Sequence, residues 1–142
     1  MQAERARLLR LGRLEKVRAI AKQAAAAEAA RAESTLAQLE GLAARTGRLV
    51  ADYAGWTDLG DAGALQQLSQ FRSGLQGVAL STSADAARAR SVADEKHAQL
   101  AQAERRRQAV EDRAKAETAA LSAKRGDASL GARRGFGTEL DK

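Results

Sequence analysis

The chain has 142 residues, 24 of them Lys or Arg against 18 Asp or Glu, and a formal net charge of +6. It holds no cysteine and one histidine, His97, which excludes a disulfide framework, a thiolate metal site and a cysteine nucleophile. A zinc centre or a Ser-His-Asp triad would have to rest on that single imidazole, and no G-x-x-x-x-G-K-[ST] phosphate loop is present. No apolar run approaches the roughly 18 residues a membrane helix needs. Nor does the uninterrupted apolar core of a secretory signal follow Met1. These exclusions leave the expectation of one cytoplasmic domain without cofactor, metal or catalytic residues.

The first predicted element covers residues 2–52. It is rich in Ala, Leu, Arg, Glu and Gln, all strong helix formers, and the whole chain lacks proline. Apolar residues recur at Leu11, Leu14, Ala21, Ala25, Ala29, Ala32, Leu36, Leu39, Ala43 and Val50. From Ala25 onward the steps are those of a heptad seam. Upstream the phase slips by one residue, and Leu14, Ala25 and Leu36 stand eleven apart, which predicts gentle supercoiling.

A connector is expected over residues 53–83. It carries Gly55, Gly60, Gly63, Gly74 and Gly77, the run Ser81-Thr82-Ser83, and three of the chain's four aromatics, Tyr53, Trp56 and Phe71. Within it Leu65, Leu68, Phe71 and Leu75 keep helical spacing, which predicts a short helix over about 62–76.

The second long helix is predicted over 84–125, opened by Thr82 and Asp85 as an approximate capping box. Ala93, Leu100, Ala103, Val110, Ala114 and Leu121 fall on one track, with Lys96, Arg107 and Glu117 at intervening positions. Glu111 to Lys115, Glu104 to Arg107 and Asp112 to Lys115 are spaced for ion pairs along the helix. His97 belongs to its surface or seam. Residues 126–142 carry four glycines and are expected to fray.

Two alanine-seamed helices joined by a connector able to reverse the chain give an all-α antiparallel two-helix coiled-coil hairpin. Alanine seams bury little area, so such a hairpin gains far less than a leucine-lined one and stands to gain from a partner. Residues 1–22 hold Arg5, Arg7, Arg10, Arg13, Lys16, Arg18 and Lys22 against Glu4 and Glu15. Cations at a helix N-terminus oppose the macrodipole; an acidic partner explains them, and so does the simple need to keep a long helix solvated. They wind around the helix, which speaks against nucleic acid as that partner. Tyr53, Trp56, Phe71, Leu75 and Val78 either cap the coiled coil or form an exposed docking patch. A mixed role is expected, with Tyr53 and Phe71 the exposed members.

Over nearly its whole length the chain resembles the FliJ family of flagellar type III export proteins and their injectisome counterparts. The resemblance rests on size, a basic N-terminal helix, Tyr53 near the end of helix one, a broken middle and a second charged helix. Phe71, Leu75 and Val78 stand at the family's spacing of Phe, Leu and a small apolar residue. Leu49 stands where the family tends to place the first of two aromatics four apart, so this chain has only the second, Tyr53. The resemblance implies a stalk-like coiled coil that binds the hexameric export ATPase and the cytoplasmic domain of the export gate, and that escorts export chaperones. It implies that Arg5, Arg7, Arg10 and Arg13 face the ATPase, and that Tyr53, Phe71, Leu75 and Val78 face the gate. It also implies a peripheral place at the inner-membrane export apparatus. A coiled-coil adaptor or chaperone that self-associates through the same seams is the competing reading.

Overall fold

In the computed structural model, which describes residues 2–56 and 60–137 with side chains through 134, the chain forms two helices. Helix α1 spans Gln2–Ala54 and helix α2 spans Ala62–Gly137, and the two pack as an antiparallel all-α pair. There is no strand among the described residues. Contacts divide the chain into two compact units, a turn unit of Ala25–Leu100 and a terminal unit of Met1–Ala24 with Ala101–Lys142.

The turn unit holds the apolar seam. Leu36 (7 % exposed) packs with Ala89 and Ala93 (1 % exposed), flanked by Ala32 and Leu39. This cluster sets the bulky Leu36 against the small Ala89 and Ala93, so it buries little area. Two threonines, Thr46 and Thr82, are also buried, and each hydroxyl is satisfied within its own helix. Thr46 Oγ1 donates to the Leu42 carbonyl at 2.8 Å and Thr82 Oγ1 to the Ala79 carbonyl at 3.1 Å. That internal bonding lets a polar residue occupy the seam without a cross-helix partner. Pairs between Glu40 and Arg90 and between Glu28 and Lys96 (3.1 Å) flank the seam and set the antiparallel register. His97 is a surface residue, with Nε2 3.3 Å from Glu33.

Helix α2 begins at Ala62, not near residue 84, so the expected connector shrinks to a few residues and the short helix over 62–76 is simply the first part of α2. Asp61 is its N-cap: the carboxylate accepts from the Ala64 amide at 2.6 Å, and the Asp61 carbonyl accepts from the Leu65 amide at 3.2 Å. Thr82 is therefore a mid-helix seam residue and Asp85 an ion-pair partner of Arg88, not a cap. Gly74, Gly77 and the Ser81–Ser83 run lower helix propensity, each glycine by about 0.5–1 kcal/mol relative to alanine. The three-four series Arg72, Leu75, Ala79, Thr82, Ala86 and Ala89 nonetheless stays turned inward, and burial along that series carries the helix through. At its other end α2 runs to Gly137, so residues 126–137 are helical where fraying was expected. Residues 57–59 of the connector and 138–142 of the tail lie outside the described residues.

The terminal unit differs in kind. Along α2 the predicted track is the inward one: Ala103, Arg107, Val110, Ala114, Glu117 and Leu121 are half-buried or buried. Along α1 no phase slip occurs. The heptad continues back from Ala25 through Lys22, Arg18, Glu15, Leu11, Leu8 and Glu4, all half-buried, while Leu14 and Ala21 face solvent. The inward positions of this unit are thus filled largely by charge, and ion pairs cross between the helices: Lys22 to Glu104 at 2.8 Å, Arg7 to Glu117 at 3.8 Å, and Glu4 to Lys124. A one-residue slip would have pointed Leu14 inward and separated these pairs; the heptad phase keeps them.

Candidate docking surfaces

The turn unit places the predicted aromatic group together. Helix α1 ends at Ala54, the Trp56 amide donates back to the Tyr53 carbonyl at 3.2 Å, and this turn sets Trp56 beside Tyr53. The rings of Tyr53 and Trp56 lie 4.8 Å apart at 52°, and those of Tyr53 and Phe71 lie 4.9 Å apart, edge to face at 69°. Tilted and edge contacts of this kind align ring quadrupoles favourably. Tyr53 is the hinge of the group, touching one aromatic from each side of the turn. The Arg72 guanidinium closes the arrangement by donating to the Trp56 carbonyl, tying α2 to the loop end of α1.

Exposure within the group departs from expectation. Phe71 is 50 % exposed, but Tyr53 is half-buried because it sits between the other two rings. Trp56 and Val78 are the other exposed members, whereas Leu75 turns inward and lines a small cleft of ≈ 30 Å³ with Val50, Ala54, Arg72 and Gln76. Phe71 and Val78 stand two helical turns apart on the flank of the α2 seam, with Leu75 between them at its edge. The exposed surface is therefore an apolar edge made by Trp56, Phe71 and Val78. Exposed Leu65 and Leu80 of α2 and exposed Leu49 of α1 were not singled out as surface residues from the sequence, although the phase of the seam implies them.

The second predicted group lies in the terminal unit. Arg5, Arg7, Arg10 and Arg13 are all exposed and occupy different faces of α1, as their spacing requires. Arg7 reaches Glu117 across the helices, and Arg10 Nε bonds the Ala6 carbonyl of its own helix at 3.4 Å. Arg5 and Arg13 have no hydrogen-bond or carboxylate partner among the described residues. Arg125, Arg133 and Arg134 of α2 are likewise exposed and extend the basic character of this unit beyond the four predicted residues.

Between the cations runs a charge network. Glu104 accepts from both Nε and Nη2 of Arg107, at 3.0 and 2.8 Å, and Glu111 accepts from Arg107 Nη1 at 2.8 Å. Glu111 also pairs with Lys115 at 3.1 Å, whereas the spaced pair Asp112–Lys115 does not form and Asp112 instead accepts from Gln108. The Arg107 hydrogen bonds, seconded by Lys22, hold the Glu104 carboxyl down at about 2. Lys115 first and Arg107 second hold Glu111 below the usual carboxylate range, and Lys124 does the same for Glu4. Arg107 is pushed up in return.

No cluster of His, Cys, Asp or Glu that could hold a metal ion occurs among the described residues, and no helix there is long and apolar enough to cross a membrane. The described residues thus present an exposed aromatic edge in the turn unit and exposed arginines in the terminal unit. The chain matches no protein-family model, no curated protein and no solved structure.

Proposed function

We propose that this protein is a non-enzymatic, stalk-like component of a type III protein export apparatus, of the FliJ kind. It would engage a hexameric export ATPase through the basic residues of its terminal unit and the cytoplasmic domain of an export gate through the aromatic edge of its turn unit. The observation that carries the reading is the Tyr53–Trp56–Phe71 group with Val78 beside it: large apolar side chains gathered at the turn of a hairpin whose seam is otherwise thin. Large aromatics contribute most to a core when buried along a seam; left half-exposed at a turn they suit docking. Arg5 and Arg13, without acidic partners among the described residues, support a contact with an acidic surface. Escort of export chaperones and a peripheral position at the inner membrane belong to the same proposal.

The test measures the rate and hexamer population of a type III export ATPase from the same organism, with and without the protein. A saturable rise in both, abolished by Arg5→Glu with Arg13→Glu and weakened as salt rises, is expected. Binding of the gate's cytoplasmic domain should be lost in Phe71→Ala and Val78→Asp while helix content is retained. An ATPase that is active yet indifferent to the protein at every salt concentration sinks the stalk assignment.

A self-associating coiled-coil adaptor is the second reading. It is favoured by Leu9 and Ile20, both 66 % exposed on the outward side of α1. Sedimentation decides it: a concentration-dependent dimer or tetramer at micromolar protein supports the adaptor, and a monomer at all concentrations removes it.

A further inference from the structure

Within the terminal unit an open groove of ≈ 920 Å³ runs alongside the helix pair. Its floor is Leu8, Leu9, Gly12 and Ala19 of α1, and Arg13 and Lys16 stand on its rim. We propose that this groove seats a third helix, an acidic amphipathic segment of another protein with an aliphatic seam and flanking carboxylates. The inference is independent of the export reading, since it names the chemistry of a partner and not a machine.

Three observations converge on it. First, the shape suits a helix. The floor has a small centre, Gly12 and Ala19, bordered by leucines, so a cylinder about 10 Å across can approach the α1 backbone. Gly12 lies inside a helix at negative φ, where glycine costs about 1 kcal/mol relative to alanine. A Cβ built there meets nothing within 4 Å, so nothing among the described residues requires the position to be small. The same holds for Gly41 and Gly47, but neither lines this groove.

Second, the apolar floor is unfinished. Leu9 stands outside the inward heptad series of α1, borders the groove and is 66 % exposed, so nothing in the helix pair covers it. Leucine and glycine on one lip of a helix pair offer the knob and the hole that a third strand uses.

Third, the charge selects the occupant. Arg13, Lys16, Arg107 and Lys115 line the groove against Glu15 and Glu111. Glu111 is engaged by Arg107 and Lys115, and Arg107 also by Glu104, so these charges largely offset one another and the cations left to an incoming segment are Arg13 and Lys16, with Glu15 opposing them. Arg13 and Lys16 have no carboxylate partner among the described residues, and their charge is available to an incoming segment. A second copy of this basic α1 face would be repelled, because like charges would meet across the contact.

The test uses the full chain and a fluorescein-labelled synthetic peptide of three heptads, with Leu and Ile at the seam and Glu at the flanks. The control is the same peptide with Lys in place of Glu. Anisotropy should show saturable one-to-one binding of the Glu peptide in the micromolar range, about −8 kcal/mol by the standard conversion. Binding should weaken steeply as salt is raised, and the Lys peptide should not bind. Gly12→Leu should fill the groove and reduce affinity at least about tenfold without loss of helical ellipticity, since its Cβ meets open space and leucine favours helix over glycine. Gly41→Leu, outside the groove, should bind as the unaltered chain does, and Lys16→Glu should weaken binding severalfold. The proposal is overturned if Gly12→Leu leaves affinity unchanged, if Gly41→Leu matches its loss, or if the Lys peptide binds equally well. It is also overturned if Gly12→Leu abolishes a dimer of the chain itself, which would make a second copy the occupant. Binding to anionic phosphatidylserine vesicles that Gly12→Leu abolishes, with no peptide binding, would assign the face to membrane instead.

Discussion

The seam of the turn unit can be tested by moving volume across it. Leu36 is buried against Ala89 and Ala93, so Leu36→Ala removes three carbons from a covered site. At about 0.8 kcal/mol per carbon group the transfer loss is about 2.4 kcal/mol. A two-helix pair can settle toward the gap, so the added cavity term is small and the total is about 2–3 kcal/mol, near the low end for such truncations. Ala93→Leu forces the same three carbons into a site that is 1 % exposed, which costs about 1–3 kcal/mol by overpacking. The double variant restores the total volume with the bulky residue on the other helix, and its cost should fall below about 1.5 kcal/mol. With the single effects at mid-range summing to about 4.5 kcal/mol, the implied coupling is at least about 3 kcal/mol, at the upper end for contacting residues. Urea unfolding of the four proteins at one fixed concentration closes the cycle, and hydrogen exchange over residues 25–100 locates the change. If the two single effects add to within about 0.5 kcal/mol, Leu36 and Ala93 do not share a packing site and the register described above is wrong.

Gly41→Ala and Gly47→Ala, at helical positions where a Cβ meets nothing within 4 Å, should each raise stability by about 0.5–1 kcal/mol; a lowered melting temperature in either would contradict the helical environment assigned to it. Arg18 is half-buried in the charged seam with Nε buried and unbonded, so Arg18→Leu should stabilise the terminal unit by about 1 kcal/mol, read as slower amide exchange over residues 2–24. Faster exchange there would show that the guanidinium is held by something the described residues do not supply. Acid should loosen the same unit. The Glu104 carboxyl titrates at about 2 in the folded chain against an ordinary 4.5, so the folded state binds fewer protons; its stabilising effect is complete above 4.5 and is lost as pH falls toward 2. Glu4 and Glu111 act in the same direction. Exchange over residues 101–124 should therefore quicken through that window, and less so in Glu104→Gln; a flat profile, or one the substitution leaves untouched, would count against the network.

The sequence by itself determined the class of fold and half of its seam. A proline-free chain of strong helix formers with alanine at three-four spacing has no other regular structure available, and the α2 track from Ala93 to Leu121 was legible because its inward positions are mostly apolar. The aromatic group was legible in part: Tyr53 and Trp56 are neighbours on the chain, whereas the short turn that brings Phe71 to them replaces the connector expected over 53–83. What the chain could not reveal locally is which way α1 faces below Ala25. There Glu15, Arg18 and Lys22 point inward while Leu9, Val17 and Ile20 point out, the reverse of what hydropathy suggests. Inward orientation in the terminal unit belongs to the pair of helices: ion pairs of Lys22 with Glu104, Arg7 with Glu117 and Glu4 with Lys124 make charged seam positions tolerable. The start of α2 at Ala62 has the same origin. Gly74, Gly77 and three consecutive hydroxyl residues weaken the local preference for helix, and burial along the α2 seam outweighs it. The groove at Gly12 exists only once both helices are placed, because its floor comes from one and part of its rim from the other. Propensity acts over a single turn and can be read from neighbours, whereas orientation and concavity belong to the pair of helices.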